Sequence, residues 1–252
     1  METCRPGTAL FGLAVLAGSV VLAIVGIRRT AVPAESRDGA GALFGPKIRT
    51  WYRRRVEPFE AALARAGVSP DALTYAQFVV SAAAGWAFWT GCLFLGGVLT
   101  CLAGTLDVLD GGLARRTGTA SPRGAFVDSV VDRWAEAATF LGIGAYFRDS
   151  WVVLVVVGAA FASQMVSYVR ARAEGLGVVM NVGAVQRPER YVLLGFGAGL
   201  SGVASHVGCW AWGERQDVLL IGALIVLMGV SLWTAAERTR FAHRTLRERA
   251  SA

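Results

Sequence analysis

The sequence predicts an all-α fold, a polytopic membrane helix bundle with six core transmembrane helices, an N-terminal anchor helix and a juxtamembrane amphipathic helix. Three observations carry this prediction. The 252-residue chain is 54% hydrophobic with a mean hydropathy of +0.49, too apolar for an ordinary soluble domain. Its apolar residues fall into runs close to the ~20 residues a helix needs to cross a bilayer. Its 25 Lys and Arg gather at the ends of those runs instead of forming one patch. The net charge of +7 and pI near 9.8 therefore read as topological, and nucleic acid is not an expected partner.

In chain order, residues 8–27 form one apolar run followed by Arg28 and Arg29. Positive charge after the run, not before it, favours a retained anchor over 1–29 with its N-terminus outside. Ala31-Val32-Pro33-Ala34 is a tolerable small-residue cleavage site, so a signal peptide is the alternative. Residues 30–46, with Pro33, Gly39, Gly41, Gly45 and Pro46, read as a linker. In 47–66, Arg49, Arg53, Arg54, Arg55 and Arg65 alternate with Trp51, Tyr52, Val56, Phe59 and Leu63 at helical spacing. That pattern suits a helix on an anionic membrane surface, with a solvated basic helix as the bland reading.

Six spans are predicted near 72–91, 93–113, 124–146, 151–171, 190–207 and 218–236. With the first starting in the cytoplasm, nearly every Lys and Arg lies at a cytoplasmic end, and only Arg5, Arg148 and Arg215 fall outside. Residues 47–240 then make one membrane domain, followed by a basic cytoplasmic tail over 241–252. The four cysteines show no ligand spacing and His206 and His243 are isolated, so neither zinc nor a required disulfide is inferred.

The chemistry concentrates in Asp107, Asp110, Gly111, Ala114, Arg115, Gly124, Asp128 and Asp132, arranged as D-x2-D-G-x2-A-R-x8-G-x3-D-x3-D. Carboxylates in bilayer-length apolar sequence are costly, which points to a metal. At i,i+3 and i,i+4, each pair shares a helix face, so two antiparallel helices bring four acids to one point, suited to Mg2+ ions clamping a diphosphate. Gly111, Ala114 and Gly124 leave room for close approach, or simply for helix packing. Arg115 suits a phosphate oxygen, or serves only as a topological charge.

All eight positions resemble the signature of the CDP-alcohol phosphotransferase family. The resemblance covers about residues 45–240. It implies transfer of a phosphatidyl-type group from CDP-diacylglycerol or a related CDP-lipid to an alcohol, with release of CMP, a divalent cofactor (Mg2+, with Mn2+ as the alternative) and a homodimer among membrane lipids. It also implies Asp107, Asp110 and Asp128 as metal ligands, and Asp132 as a member of that cluster and the base that accepts the hydroxyl proton. Ser69-Pro70-Asp71-Ala72-Leu73-Thr74 is a good helix start and also resembles the family's entry motif, which assigns Asp71 and Thr74 to the nucleotide.

For the acceptor, Ser167-Tyr168-Val169-Arg170 and Gln186-Arg187-Pro188-Glu189-Arg190 put guanidiniums at adjoining helix ends. They resemble the bacterial phosphatidylinositol phosphate synthase branch, with Arg170 standing where that branch carries lysine. Arg170, Arg187 and Arg190 are therefore the expected pocket for a phosphorylated polyol, with inositol 1-phosphate first and glycerol 3-phosphate second. A divalent-cation transporter is the competing class, since intramembrane acids can line an ion path; their clustering at one membrane side argues against it. A non-catalytic scaffold is disfavoured by the intact motif.

Overall fold

The computed structural model describes residues 45–183, 185–207 and 217–251. The anticipated anchor over 1–29 and nearly all of the linker lie outside the described residues. Seven helices and no strands are found among those described: α1 Gly45–Arg65, α2 Pro70–Trp89, α3 Leu93–Thr117, α4 Pro122–Tyr146, α5 Val152–Glu174, α6 Arg187–Val207 and α7 Val218–Ala250. The six core helices stand where the hydropathy runs put them. By length and composition α3, α5 and α7 can each cross a membrane.

α2, α4 and α6 are more polar for a reason visible in the packing. They turn Thr74, Gln77, Ser81, Asp132, Thr139, Arg190 and Ser201 into the bundle, while Trp86, Phe126, Trp134, Leu141 and Phe196 face outward. Apolar outside and polar inside is the pattern expected where lipid is the solvent. The protein is a membrane protein.

Short connections make the helices alternate in direction, and α2 packs against α3 and α4, α3 against α6, α5 against α4 and α7, and α6 against α7. Gly142 lets α4 approach α2, because a Cβ there would fall on the carbonyl of Gly85. The largest apolar cluster, including Phe88, Ile143, Val156, Leu220 and Leu224, fills one end of the bundle. The alternating course brings the starts of α2, α4 and α6 and the ends of α3, α5 and α7 to the other end, where the motif lies.

Two helices depart from expectation. α1 packs its apolar side on the bundle as well as carrying a basic surface: Val56 joins Leu73, Leu109 and Leu113, and Tyr52 donates to Thr105 Oγ1 at 2.9 Å. Burial pushes the Tyr52 phenol up, keeping it a donor. α7 runs on through the expected tail as far as Ala250. Ala242 and Leu246, one turn apart, pack with Ala173, Val178 and Met180, and that apolar contact continues the helix.

Candidate active site

Two Ser-Pro starts set the register of the acidic end. Ser69 Oγ accepts from Ala72 N at 3.2 Å at the head of α2, and Ser121 Oγ accepts from Gly124 N at 3.1 Å at the head of α4. α3 stops at Gly118, whose φ of 68° ends the helix in the left-handed region. Across this short turn, carboxylate oxygens of Asp107, Asp128 and Asp132 lie within 4.8 Å of one another.

Asp132 is buried and doubly held. Gln77 Nε2 donates to its Oδ1 at 3.1 Å and also to Tyr191 Oη at 3.0 Å, while Arg187 Nη1 pairs with its Oδ2. The same Arg187 nitrogen reaches Asp107 Oδ1 at 3.1 Å. Asp128 Oδ1 is buried and has no hydrogen-bond partner among the described residues. Arg187 is the guanidinium in direct contact with these carboxylates, and a group of three acids that includes a buried, unpartnered carboxylate oxygen fits a divalent cation. Among the described residues, Asp107, Asp128 and Asp132 form a group that can hold one.

Asp110, the fourth acid of the motif, has a different partner. It lies at the same end and is buried, and Thr74 Oγ1 donates to its Oδ2 at 2.8 Å; it is outside the group whose oxygens lie within 4.8 Å of one another. Thr74 thus holds a carboxylate, because its hydroxyl finds a buried acceptor on α3. Asp71 pairs with Arg123 at 3.1 Å, tying the starts of α2 and α4 together at the rim.

Beside the acids lies a cavity of about 470 Å³ lined by Asp128, Asp132, Arg170, Arg187, Arg190 and Arg238, among others. It shares two carboxylates with the cluster and gathers five guanidiniums, Arg133 being the fifth, a combination suited to an anionic second substrate.

Residues 67–236 match the CDP-alcohol phosphatidyltransferase family. The chain belongs to that family. It is similar to the phosphatidylinositol phosphate synthase of Mycobacteroides abscessus, 36% identical over 195 residues, which are 75% of this chain and 84% of that protein. The archaetidylinositol phosphate synthase of Methanothermobacter thermautotrophicus is 33% identical over 192 residues, 76% of this chain and 90% of the relative. Among solved structures, Mycobacterium tuberculosis phosphatidylinositol phosphate synthase with CDP-DAG bound aligns at a TM-score of 0.63 and 29% identity, over 75% of this chain and 94% of that one. The same enzyme in complex with manganese and citrate aligns at 0.63, over 74% and 88%. The chain is thus an enzyme, a membrane-embedded phosphatidyltransferase.

With the family in hand, the other motif residues can be placed. The nearest atoms to a Cβ on Gly111 would be those of Arg115, at 3.3 Å, and on Gly124 Ser121 Oγ, at 3.3 Å. On Gly112, by contrast, a Cβ would strike the Glu60 carboxylate of α1. Helix packing therefore accounts for Gly112, whereas at Gly111 and Gly124 the nearest atoms a Cβ would crowd belong to side chains close in sequence, Arg115 and Ser121, and not to another helix. Arg115 is exposed above Gly111, and Ala114 is half-buried.

The three acceptor arginines all line the cavity but are engaged differently. Arg170 is exposed and pairs with Glu174 at 2.9 Å. Arg187 is drawn into the acidic trio, and Arg190 is buried against Glu136, Ser163 and Ser167. Sequence reasoning missed Gln77 and Glu136 and read Arg238 as topological only. A glutamine in the middle of an apolar run was a usable signal, as was a third acid continuing the Asp128–Asp132 face at i+4. Arg238 is buried, donating to Val182 O at 3.0 Å and Val166 O at 2.8 Å, and nothing in its local sequence marks it.

Proposed function

We propose that the enzyme transfers a phosphatidyl group from CDP-diacylglycerol to inositol 1-phosphate, releasing CMP and forming phosphatidylinositol phosphate, at a site facing the cytoplasm of the cell membrane. The observation that carries this reading is the arginine-lined cavity sharing Asp128 and Asp132 with the acidic cluster. It puts a receptor for a second anion next to the group that would deprotonate it. The names of the relatives, inositol-phosphate-lipid synthases of bacteria and archaea, favour the same acceptor. The basic ends of the helices lie at the site's end of the bundle, which supports the cytoplasmic placement.

The acceptor hydroxyl oxygen attacks the lipid-linked phosphorus in line; the new O–P bond forms as the bond from phosphorus to the CMP oxygen breaks. Asp132 takes the hydroxyl proton, each of its oxygens keeping a lone pair beyond its bond to Gln77 or Arg187. Asp107, Asp110 and Asp128 serve with it as the metal residues, Asp110 from its position on Thr74. A bound Mg2+ or Mn2+ supplies charge neutralisation of the diphosphate and of departing CMP. Asp71, Thr74, Gly111, Ala114, Arg115 and Gly124 line the nucleotide side. Arg170, Arg187 and Arg190 hold the acceptor phosphate and disfavour neutral alcohols, which would leave the Arg187 Nη2 and Arg190 Nε donors without an acceptor.

The test is CMP release by purified protein in lipid nanodiscs, with CDP-diacylglycerol and Mg2+, against inositol 1-phosphate, glycerol 3-phosphate and free inositol. Inositol 1-phosphate is expected to give the highest kcat/KM. Preference for glycerol 3-phosphate would make this a phosphatidylglycerophosphate synthase, and preference for free inositol would remove the phosphate-binding role of the arginines.

A further inference from the structure

Glu136 follows Asp132 by one helical turn on α4, and no position of the acidic motif falls on it. Its side chain is only 11% exposed, in a segment where an unpaired carboxylate is costly. It lines a small pocket with Arg187, Arg190 and Tyr191, and Arg187 and Arg190 also line the large cavity. Its Oε1 accepts from Ser163 Oγ at 2.5 Å and from Arg190 Nη1 at 3.0 Å. The same Nη1 donates to the Ser163 carbonyl at 2.8 Å and contacts Ser163 Oγ.

A guanidinium has five N–H donors in a fixed fork. The two on Nη1 are taken by Glu136 and Ser163. Nη2 gives one to Ser167 Oγ at 3.2 Å and keeps one, and Nε is buried without a partner. Nε and Nη2 are thus the nitrogens that keep free donors, and an Nε/Nη2 edge is of the kind that grips a phosphate. Arg190 is a residue of the cavity wall, whereas Glu136 reaches that cavity only through it.

We propose that Glu136 is a positioning residue for acceptor binding: with Ser163 it clamps Nη1 of Arg190, so that the Nε/Nη2 edge is set for the acceptor phosphate. The role rests on the acceptor reading above. A carboxylate serving only to neutralise a buried arginine would support folding and both substrates alike; a clamp that aims the guanidinium affects one substrate.

The experiment is steady-state CMP release in nanodiscs, varying each substrate at saturation of the other, for wild type, Glu136→Gln, Arg190→Gln and the double variant. Glu136→Gln is expected to raise the acceptor KM roughly tenfold, with the CDP-diacylglycerol KM held within about twofold. In the Arg190→Gln background the same change is expected to add little, because no guanidinium remains to be aimed. Equal losses for both substrates, or additive effects in the double variant, would overturn the role. If Glu136→Gln fails to insert, Glu136→Asp, which keeps the charge one methylene further back, carries the test: a rise confined to acceptor KM supports the clamp and an unchanged KM rejects it. Wild-type preference for a phosphorylated polyol with unchanged Glu136→Gln kinetics would defeat this role alone. Wild-type preference for a neutral alcohol would defeat the acceptor reading and this role together.

Discussion

Asp132 receives donors on both oxygens, from Gln77 on α2 and Arg187 on α6, and so its carboxylate is fixed before substrate arrives. Asparagine there keeps the size but turns one oxygen into a donor facing a donor. Asp132→Asn is expected to lower turnover by roughly 10²- to 10⁴-fold while CDP-lipid binding survives, since the base acts after the donor is in place. Asp107→Asn removes a charge from the trio without touching the proton acceptor, and is expected to weaken Mg2+-dependent donor binding. Calorimetric titration of CDP-lipid with and without Mg2+, beside CMP release, separates the two. Equal loss of donor binding in both variants would contradict the division of roles.

Helix against helix, the bundle depends on small residues where backbones meet. α2 and α4 must be close for Gln77 to reach Asp132, and the Gly85–Gly142 contact sets that distance. Gly142→Val is expected to pry the pair apart, costing about 1–3 kcal/mol of stability by overpacking, visible as a lower Tm in detergent, and to reduce activity with it. Gly229→Ala, with open space around its Cβ position, is the control expected to leave both unchanged. A similar constraint shapes the α5–α6 connection. Val185 N donates to Thr234 Oγ1 at 3.3 Å, and Gly183, at φ +127°, lies where a Cβ would come within 2.8 Å of Thr234 and Arg238. α7 thereby holds the segment that leads into Arg187.

For the molecule as a whole, the even alternation of helix direction divides the protein into an apolar end and a charged end. A single orientation across the membrane follows from the positions of the arginines. Single cysteines introduced near residue 180 in a background lacking native cysteines are expected to resist an impermeant thiol reagent in intact cells and to react in inverted vesicles. Cysteines introduced near 149 are expected to do the reverse. Labelling near 180 from outside would invert the topology and move the active site to the other face. α7 gives the charged end extra reach: at 33 residues it spans about 50 Å, against about 30 Å of hydrocarbon.

The sequence by itself determined the class of fold, the position of each core helix and the acidic motif. These are local quantities: an apolar run is contiguous, and Asp128 and Asp132 share a face simply because they are four residues apart. The family match and the convergence of three of the four acids agree with that reading. Tertiary structure decided which partner each polar group found. Thr74 meets Asp110 across 36 residues, Gln77 meets Asp132 across 55 and Tyr191 across 114. Arg187, Arg190 and Arg238 look alike in sequence as charges near helix ends. One enters the acids, one is clamped by Glu136 and one binds the carbonyls of Val166 and Val182. No spacing rule distinguishes them, because the contact that assigns each role lies on a different helix or loop, and only the packed bundle brings the two together.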